Sequence, residues 1–152
     1  MIVYRVGRTK FSKDLLGEGA RLHGGRWNHI FTPCIYTSES RALAVLEYTV
    51  NVNINDIPRS LSITTFEIPD VGIQELTIAY LPGNWKEFPA PASTKDLGTS
   101  FLSLAASPII KIPSAVITQE FNYILNPKNA DSKYFRILQI EDFIYDVRIK
   151  LV

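Results

Sequence analysis

The alternation of apolar and polar residues predicts a chain built mainly of strands. Short runs rich in β-branched residues, bounded by turn-forming residues, are typical of strands. The stretch 73–80 is ambiguous. The predicted strands cover residues 2–6, 34–37, 60–68, 109–112, 115–118 and 121–125, with a closing pair at 134–140 and 143–151.

Two stretches have the spacing of amphipathic helices. The first covers about 39–51, with Ser38 as its N-cap, and the second covers about 94–106. Many strands with few helices favour an α+β fold with mixed or antiparallel sheets and a few short helices. The predicted apolar stripes are Leu43, Leu46 and Val50 in the first helix, and Leu97, Phe101, Leu104 and Ala105 in the second.

Composition narrows the class of protein further. A chain of 152 residues, 46% of them hydrophobic, predicts a single domain spanning 1–152 with a real core. A net charge of +1 gives little reason to expect bulk binding to nucleic acid or to an anionic membrane. With one cysteine, no signal peptide and no long apolar run, we expect a cytoplasmic protein without disulfides or membrane spans. One cysteine and two histidines are too few ligands for a zinc site without carboxylates, so we expect no zinc.

The segment 17–28, which reads GEGARLHGGRWN, is the first candidate for chemistry because it holds four of the eight glycines. Glycines let a backbone approach a ligand closely, and the guanidinium fork of Arg26 suits a phosphate or pyrophosphate. Trp27 can pack beneath the segment and hold it rigid. The spacing matches neither a Walker A loop nor a Rossmann fingerprint. An ordinary glycine-rich turn with a surface arginine is the alternative.

Tyr36 and Glu47 are single candidates on the elements that follow. The ring of Tyr36, near the end of a predicted buried strand, could stack on a planar ligand, and its hydroxyl could orient one. Glu47 falls on the edge of an apolar helix stripe, where a carboxylate needs a partner or a purpose. The structural alternatives are a core tyrosine and a salt bridge from Glu47 to Arg5 or Arg21.

The other polar signals are weaker. Ser114 lies in no G-x-S-x-G elbow, so a serine hydrolase is poorly supported. Asn122 and Asn126 suit turns. Cys34 has an apolar setting, which favours a buried, inert thiol over a nucleophile.

Taken together and in this order, these segments resemble the RES domain, the toxin half of bacterial RES–Xre toxin–antitoxin pairs. The resemblance covers nearly the whole chain, from the YR pair at 4–5 to the DVRI stretch at 146–149. Its most specific part is the combination of GGRWN at 24–28, PSAV at 113–116 and NYILNP at 122–127.

The resemblance implies a fold similar to the ADP-ribosyltransferase toxins and an activity that consumes NAD⁺ as substrate, with no metal. It implies that Arg26, Tyr36 and Glu47 are catalytic and line the NAD⁺ site. The substrate-binding candidates from the same motifs are Arg26, Tyr36, Ser114, Trp27, Asn28 and Asn122.

The implied reaction, cleavage of the nicotinamide–ribose bond, builds positive charge on the ribose, as glycoside hydrolysis does. Glu47 would stabilise that charge in the transition state. Arg26 would fix the pyrophosphate, Tyr36 would stack on or orient the nicotinamide, and Ser114 would bond the ribose or the nicotinamide amide.

Two positions depart from the pattern of the family. Asn129 stands where a histidine commonly follows the NP pair, and Phe121 stands where an arginine often precedes the asparagine of the NYILNP stretch. We therefore do not expect the contacts that the histidine and the arginine make in the family.

Several readings of function stay open at this point. The acceptor of ADP-ribose could be water or phosphate, which makes an NAD⁺-degrading toxin that arrests growth, or a protein, which makes a mono-ADP-ribosyltransferase. A non-catalytic binding module on the same fold is the third reading, and a nucleic-acid-binding domain conflicts with the charge. The partner that the resemblance implies is a cognate Xre-type antitoxin with a DNA-binding domain, in a homodimer or a mixed toxin–antitoxin assembly.

Overall fold

One mixed sheet of seven strands organises the computed structural model, which describes residues 1–150. The strand order is β4-β5-β6-β2-β1-β3-β7, with β4 and β5 parallel and the other neighbouring pairs antiparallel. The predicted α+β class is confirmed. The strands are β1 (Ile2–Arg8), β2 (Ile35–Ser38), β3 (Leu61–Glu67), β4 (Ile73–Glu75), β5 (Ile109–Pro113), β6 (Phe121–Leu125) and β7 (Arg136–Phe143).

Three α-helices pack around the sheet: α1 (Glu18–His23), α2 (Arg41–Asn51) and α3 (Ala92–Leu104). Short 3₁₀ turns connect several of the elements. In the part of the chain that the structure describes, no helix is long and apolar enough to cross a membrane. The helix α1 lies inside the glycine-rich segment, which the sequence pattern treats as a loop.

The helix α2 starts two residues later than predicted. Its N-cap is Ser40, whose hydroxyl accepts a hydrogen bond from the amide of Leu43 at 3.1 Å. Ser38, the predicted cap, is the last residue of β2 instead. The buried residues of α2 are Leu43, Ala44 and Thr49, whereas Val50 is 46% exposed, so the apolar face is rotated from the predicted stripe.

The helix α3 presses on the glycine-rich segment. It starts and ends two residues before the predicted bounds, and its buried residues are Thr94, Gly98 and Leu102, while Leu104 is 77% exposed. A β-carbon at Gly98 would lie 1.9 Å from the carbonyl oxygen of Trp27, so only glycine permits this approach. The predicted stripe does not include Gly98, because contact with the glycine-rich segment determines which face of α3 is buried.

Two other predicted elements are wrong in part. Residues 115–118 form a turn, and the predicted closing pair is a single strand, β7, followed by a 3₁₀ turn at Val147–Lys150. Residue 151, the predicted end of that second strand, lies outside the described residues. The stretch 73–80 divides into β4 and a 3₁₀ turn at Ile78–Tyr80.

The core lies on both faces of the central strands. Alternate residues of a strand point to opposite faces, so Ile109 and Ile110 of β5 belong to different apolar clusters. One cluster holds Trp27, Cys34, Trp85 and Leu102, and joins the glycine-rich segment to α3. This packing fixes the position of the segment that carries Arg26.

Candidate functional site

A cleft of about 880 Å³ opens between β1, β2, α2 and the glycine-rich segment. Charge is unevenly distributed around it: five cationic side chains line it against two carboxylates, although the whole chain has a net charge of only +1. Such a cleft favours an anionic ligand. The charged residues of the lining are Arg5, Arg8, Arg26, Lys86, Lys95, Asp14 and Glu47.

The carboxylate of Glu47 is held by two neutral donors. Its Oε1 accepts a hydrogen bond from the hydroxyl of Ser114 at 2.6 Å and another from Nδ2 of Asn122 at 2.6 Å. Within residues 1–150 it forms no salt bridge, so the alternative of an ion pair with Arg5 or Arg21 is wrong. Arg21 pairs with Glu18 instead. The charge of Glu47 therefore stays available to a ligand in the cleft.

Ser114 is fully buried, and its hydrogen bonds determine where its hydroxyl proton points. Its Oγ accepts hydrogen bonds from the amides of Val116 and Ile117, at 3.0 and 3.1 Å. These two donors occupy the lone pairs of the oxygen, so the proton is directed at Glu47. Ser114 is absent from the cleft lining, whereas Asn122 is part of it.

Arg26 lines the same cleft as Glu47, on the glycine-rich side. Its Nη1 donates to the carbonyl oxygens of Trp85 and Glu87, both at 2.8 Å. Burial lowers the pKa of the guanidinium, while the nearby Glu47 and Tyr36 act in the opposite direction. The two carbonyls thus fix the guanidinium of Arg26 in the cleft that Glu47 also lines.

The hydroxyl of Tyr36 is engaged inside the protein. It donates to Oδ1 of Asn28 at 2.5 Å and accepts from the amide of Trp27 at 3.0 Å. Burial raises the pKa of Tyr36 well above its ordinary value, so the phenol remains a donor. A β-carbon at Gly25 would lie 2.7 Å from this hydroxyl. Tyr36 lines the cleft, and its hydroxyl holds the segment 25–28 in place.

Trp27 and Asn28 occupy inner positions of the segment. Trp27 is buried against Trp85, with ring centroids 6.4 Å apart, and contributes to the cleft wall. Asn28 is fully buried, and its Nδ2 faces the carbonyl oxygens of Ala20, His29 and Thr32 at 2.9 to 3.1 Å. Asn28 does not line the cleft, so its contacts stabilise the loop.

Three features of the cleft are missing from the candidates identified from the sequence. Arg5 lines it, with its guanidinium bonded to the carbonyl oxygen of Phe11 at 2.6 Å, and burial lowers its pKa while Asp14 opposes that effect. The carbonyls that orient Arg26 are backbone groups and leave no sequence signal. Ser38 bonds Asn122. Two sequence signals could have indicated Arg5: an arginine inside a β-rich strand, and its place in the YR pair at which the family resemblance begins.

The two positions that depart from the family pattern have structural contacts. Asn129 donates to the carbonyl oxygen of Ala105 at 2.6 Å, just after the end of α3. Phe121 lies under the ammonium of Lys111, 4.2 Å from the ring centroid. Neither residue is part of the cleft lining. Among residues 1–150, no group of three or more His, Cys, Asp or Glu side chains is placed to hold a metal.

Comparison with known proteins gives the class. The family model described as "RES domain" matches residues 2–146. A protein named "Toxin Res" from Photorhabdus laumondii is 36% identical over 152 residues, covering 98% of this chain and 97% of the relative. The chain therefore belongs to the RES family of toxins.

Two further similarities bear on activity and fold. A protein from Sphingobium sp. (strain YBL2), named "Prs ADP-ribosylating toxin", is 30% identical and covers 93% of this chain and 90% of its own length. The crystal structure of the M. tuberculosis MbcT–MbcA toxin–antitoxin complex contains a chain that matches with a TM-score of 0.74 at 19% identity. The match covers 93% of this chain and 83% of that one. At this identity, the likeness shows a shared fold.

Proposed function

We propose that this chain is the toxin of a toxin–antitoxin pair and that it cleaves the nicotinamide–ribose bond of NAD⁺. One observation carries the proposal: Glu47, held by two neutral donors and by no cation among residues 1–150, shares a cationic cleft with Arg26. A dinucleotide has a diphosphate for the cations and a ribose for the carboxylate.

The chemistry of the bond explains why an ionised carboxylate is useful. As nicotinamide leaves, positive charge develops on the ribose, in an oxocarbenium-like transition state. A fixed negative charge beside that carbon stabilises the transition state more than the ground state. A salt bridge would neutralise Glu47, whereas Ser114 and Asn122 orient it and preserve its charge.

Other side chains have separable roles in the proposal. Arg26 binds the diphosphate through the guanidinium nitrogens that Trp85 and Glu87 leave unused. The ring of Tyr36 faces the nicotinamide end, while its hydroxyl maintains the loop. Trp27 and Asn28 shape the site, and Ser114 acts through Glu47.

The acceptor of the ADP-ribosyl group is water or inorganic phosphate in the leading form of the proposal. A protein acceptor is the second candidate, and the Sphingobium relative, named for ADP-ribosylation, favours it. Both reactions need the same oxocarbenium-stabilising cleft and differ in what reaches the ribose.

An Xre-type antitoxin with a DNA-binding domain is the partner that we propose, in the cytoplasm. The structural neighbour was solved as a toxin–antitoxin complex, which supports an antitoxin for this chain. Covering the cleft would inhibit the toxin, and a homodimer or a mixed assembly would be compatible with this mode.

The test is incubation of the purified chain with NAD⁺, with and without inorganic phosphate, followed by quantification of nicotinamide and of the ADP-ribosyl product. Release of nicotinamide without added protein supports the proposal, and free or phosphorylated ADP-ribose identifies the acceptor. Transfer of ADP-ribose to an added protein, with no release of nicotinamide when that protein is absent, supports the second candidate. If NAD⁺ stays intact both with and without an added protein, both candidate reactions are contradicted and a binding module is favoured.

A further inference from the structure

Ser38 is linked to the carboxylate of Glu47, the candidate catalytic group, through the side chain of Asn122. It ends β2, is 3% exposed, and shares a sheet face with Tyr36, because alternate strand residues point to the same side. It pairs directly with Asn122 in the register of β2 and β6. Its hydroxyl donates to Oδ1 of Asn122 at 2.7 Å.

The hydrogen bonds run in one direction towards Glu47. Ser38 donates to the amide oxygen of Asn122, and the amide nitrogen of Asn122 donates to Oε1 of Glu47. Donation to an amide oxygen polarises the amide and strengthens the bond made by its nitrogen. It also anchors a terminal torsion that is otherwise broad.

Neighbouring strands hold the ends of this network. Asn122 lies on β6, between β2 with Ser38 and β5, which Ser114 follows directly. Both donors reach Oε1, and among residues 1–150 no hydrogen bond to Oε2 is formed. Oε2 is therefore the oxygen that remains for the substrate.

We propose that Ser38 is a positioning residue that acts through Asn122 to fix the orientation of the Glu47 carboxylate. The inference rests on the proposed function, since it assigns Ser38 a part in the cleavage of NAD⁺. Ser38 lines the cleft, but its hydroxyl proton is engaged by Oδ1 of Asn122, so the proposed effect on Glu47 is indirect. Its effect is on the ionised form of Glu47, which loses a well-directed donor when the Asn122 amide is no longer anchored.

The test compares Ser38→Ala and Ser38→Thr with the parent. In Ser38→Ala, kcat for NAD⁺ falls about 5- to 10-fold, as expected for one weakened hydrogen bond to a charged group, with KM within about 2-fold. Ser38→Thr retains the hydroxyl and restores most of kcat.

Ser62→Ala is the matched control. Ser62 is a strand serine of the same sheet, 1% exposed, and its hydroxyl bonds a side chain outside the cleft, that of Thr9 at 2.9 Å. The substitution Ser62→Ala removes an equally buried hydroxyl and leaves kcat and KM unchanged. If Ser38→Ala behaves like this control, or if Ser38→Thr is as impaired as Ser38→Ala, Ser38 has no positioning role.

A second measurement separates this inference from the proposed function. The side-chain amide signals of Asn122 in a ¹⁵N–¹H spectrum report its hydrogen bonds without any substrate. The inference predicts that Ser38→Ala shifts them markedly and Ser62→Ala does not. A parent that leaves NAD⁺ intact overturns the proposed function and the catalytic part of the inference together. Unchanged Asn122 signals overturn the network itself, whatever the activity of the parent.

Discussion

Ser114 donates its hydroxyl proton to Oε1 of Glu47 at 2.6 Å, although the two residues are 67 positions apart in the chain. The amides of Val116 and Ile117 determine the direction of that proton, because they occupy the acceptor side of the oxygen. The turn after β5 therefore orients a carboxylate on α2. In the proposed mechanism, this relationship gives Ser114 an orienting role even though it does not line the cleft.

Ser114→Ala should damage both activity and stability. It removes one donor from Glu47, so we expect kcat to fall about 10-fold with little change in KM. It also leaves two backbone amides without their acceptor, at a cost of about 1–3 kcal/mol in the free energy of unfolding. Steady-state kinetics with NAD⁺ and chemical denaturation measure the two effects. A kcat equal to that of the parent would show that Glu47 needs no orientation by Ser114.

Arg26→Lys should raise KM for NAD⁺ at least about 10-fold despite the retained charge. The guanidinium binds two carbonyl oxygens through Nη1 and still presents other nitrogens, whereas an ammonium group lacks the planar fork. Arg21→Lys is the control, since Arg21 is in the same segment, pairs with Glu18 and does not line the cleft. Equal KM values in the two variants would remove Arg26 from the diphosphate site.

Gly25→Ala should lower both the melting temperature and the activity. The new β-carbon would lie 2.7 Å from the Tyr36 hydroxyl, which is shorter than van der Waals contact. The ring or the loop must move, and we expect a loss of about 1–3 kcal/mol. Gly83→Ala is the matched control, because nothing lies within 4 Å of its β-carbon. If thermal denaturation shows the same melting temperature for both variants, the contact between Gly25 and Tyr36 is not tight in solution.

Stability should decline at alkaline pH, in part because of Cys34. Burial raises the pKa of this thiol from its ordinary value of 9.0 to about 12. The unfolded chain therefore releases the proton first, and the free energy of unfolding falls as the pH rises from 9 towards 12. Burial of Tyr36 acts in the same direction. Denaturation between pH 8 and 11 should show a shallower decline in Cys34→Ala, and parallel curves would contradict the assignment.

Local sequence patterns predict the elements of this fold better than their bounds. The N-terminal strand, the strand of Tyr36 and the helix of Glu47 follow from periodicity and β-branched composition. The buried face of α3 does not, because Gly98 is buried by a carbonyl of Trp27, a contact between distant segments. The N-cap of α2 is misplaced because Ser38 and Ser40 are equally good caps, and pairing with Asn122 keeps Ser38 in the sheet.

In the candidate site too, local sequence identifies some features and contacts between distant segments determine the others. Arg26, Tyr36, Glu47 and Asn122 line one cleft, and short motifs were enough to select them. Asn28 and Ser114 come from the same motifs but are buried, because their hydrogen bonds are satisfied inside the protein. Motifs identify the residue types of the site. Tertiary hydrogen bonds decide which of these residues line the cleft and which are buried behind it.

The central claim is that a fixed negative charge in a cationic cleft stabilises the transition state for cleavage of NAD⁺. Replacement of Glu47 by glutamine tests this claim most directly. Glutamine keeps the size and part of the hydrogen bonding of the side chain and removes its charge. Nicotinamide release by Glu47→Gln should fall at least about 100-fold, while the Kd for NAD⁺ changes much less. Release at the parental rate by a folded Glu47→Gln protein would contradict the mechanism.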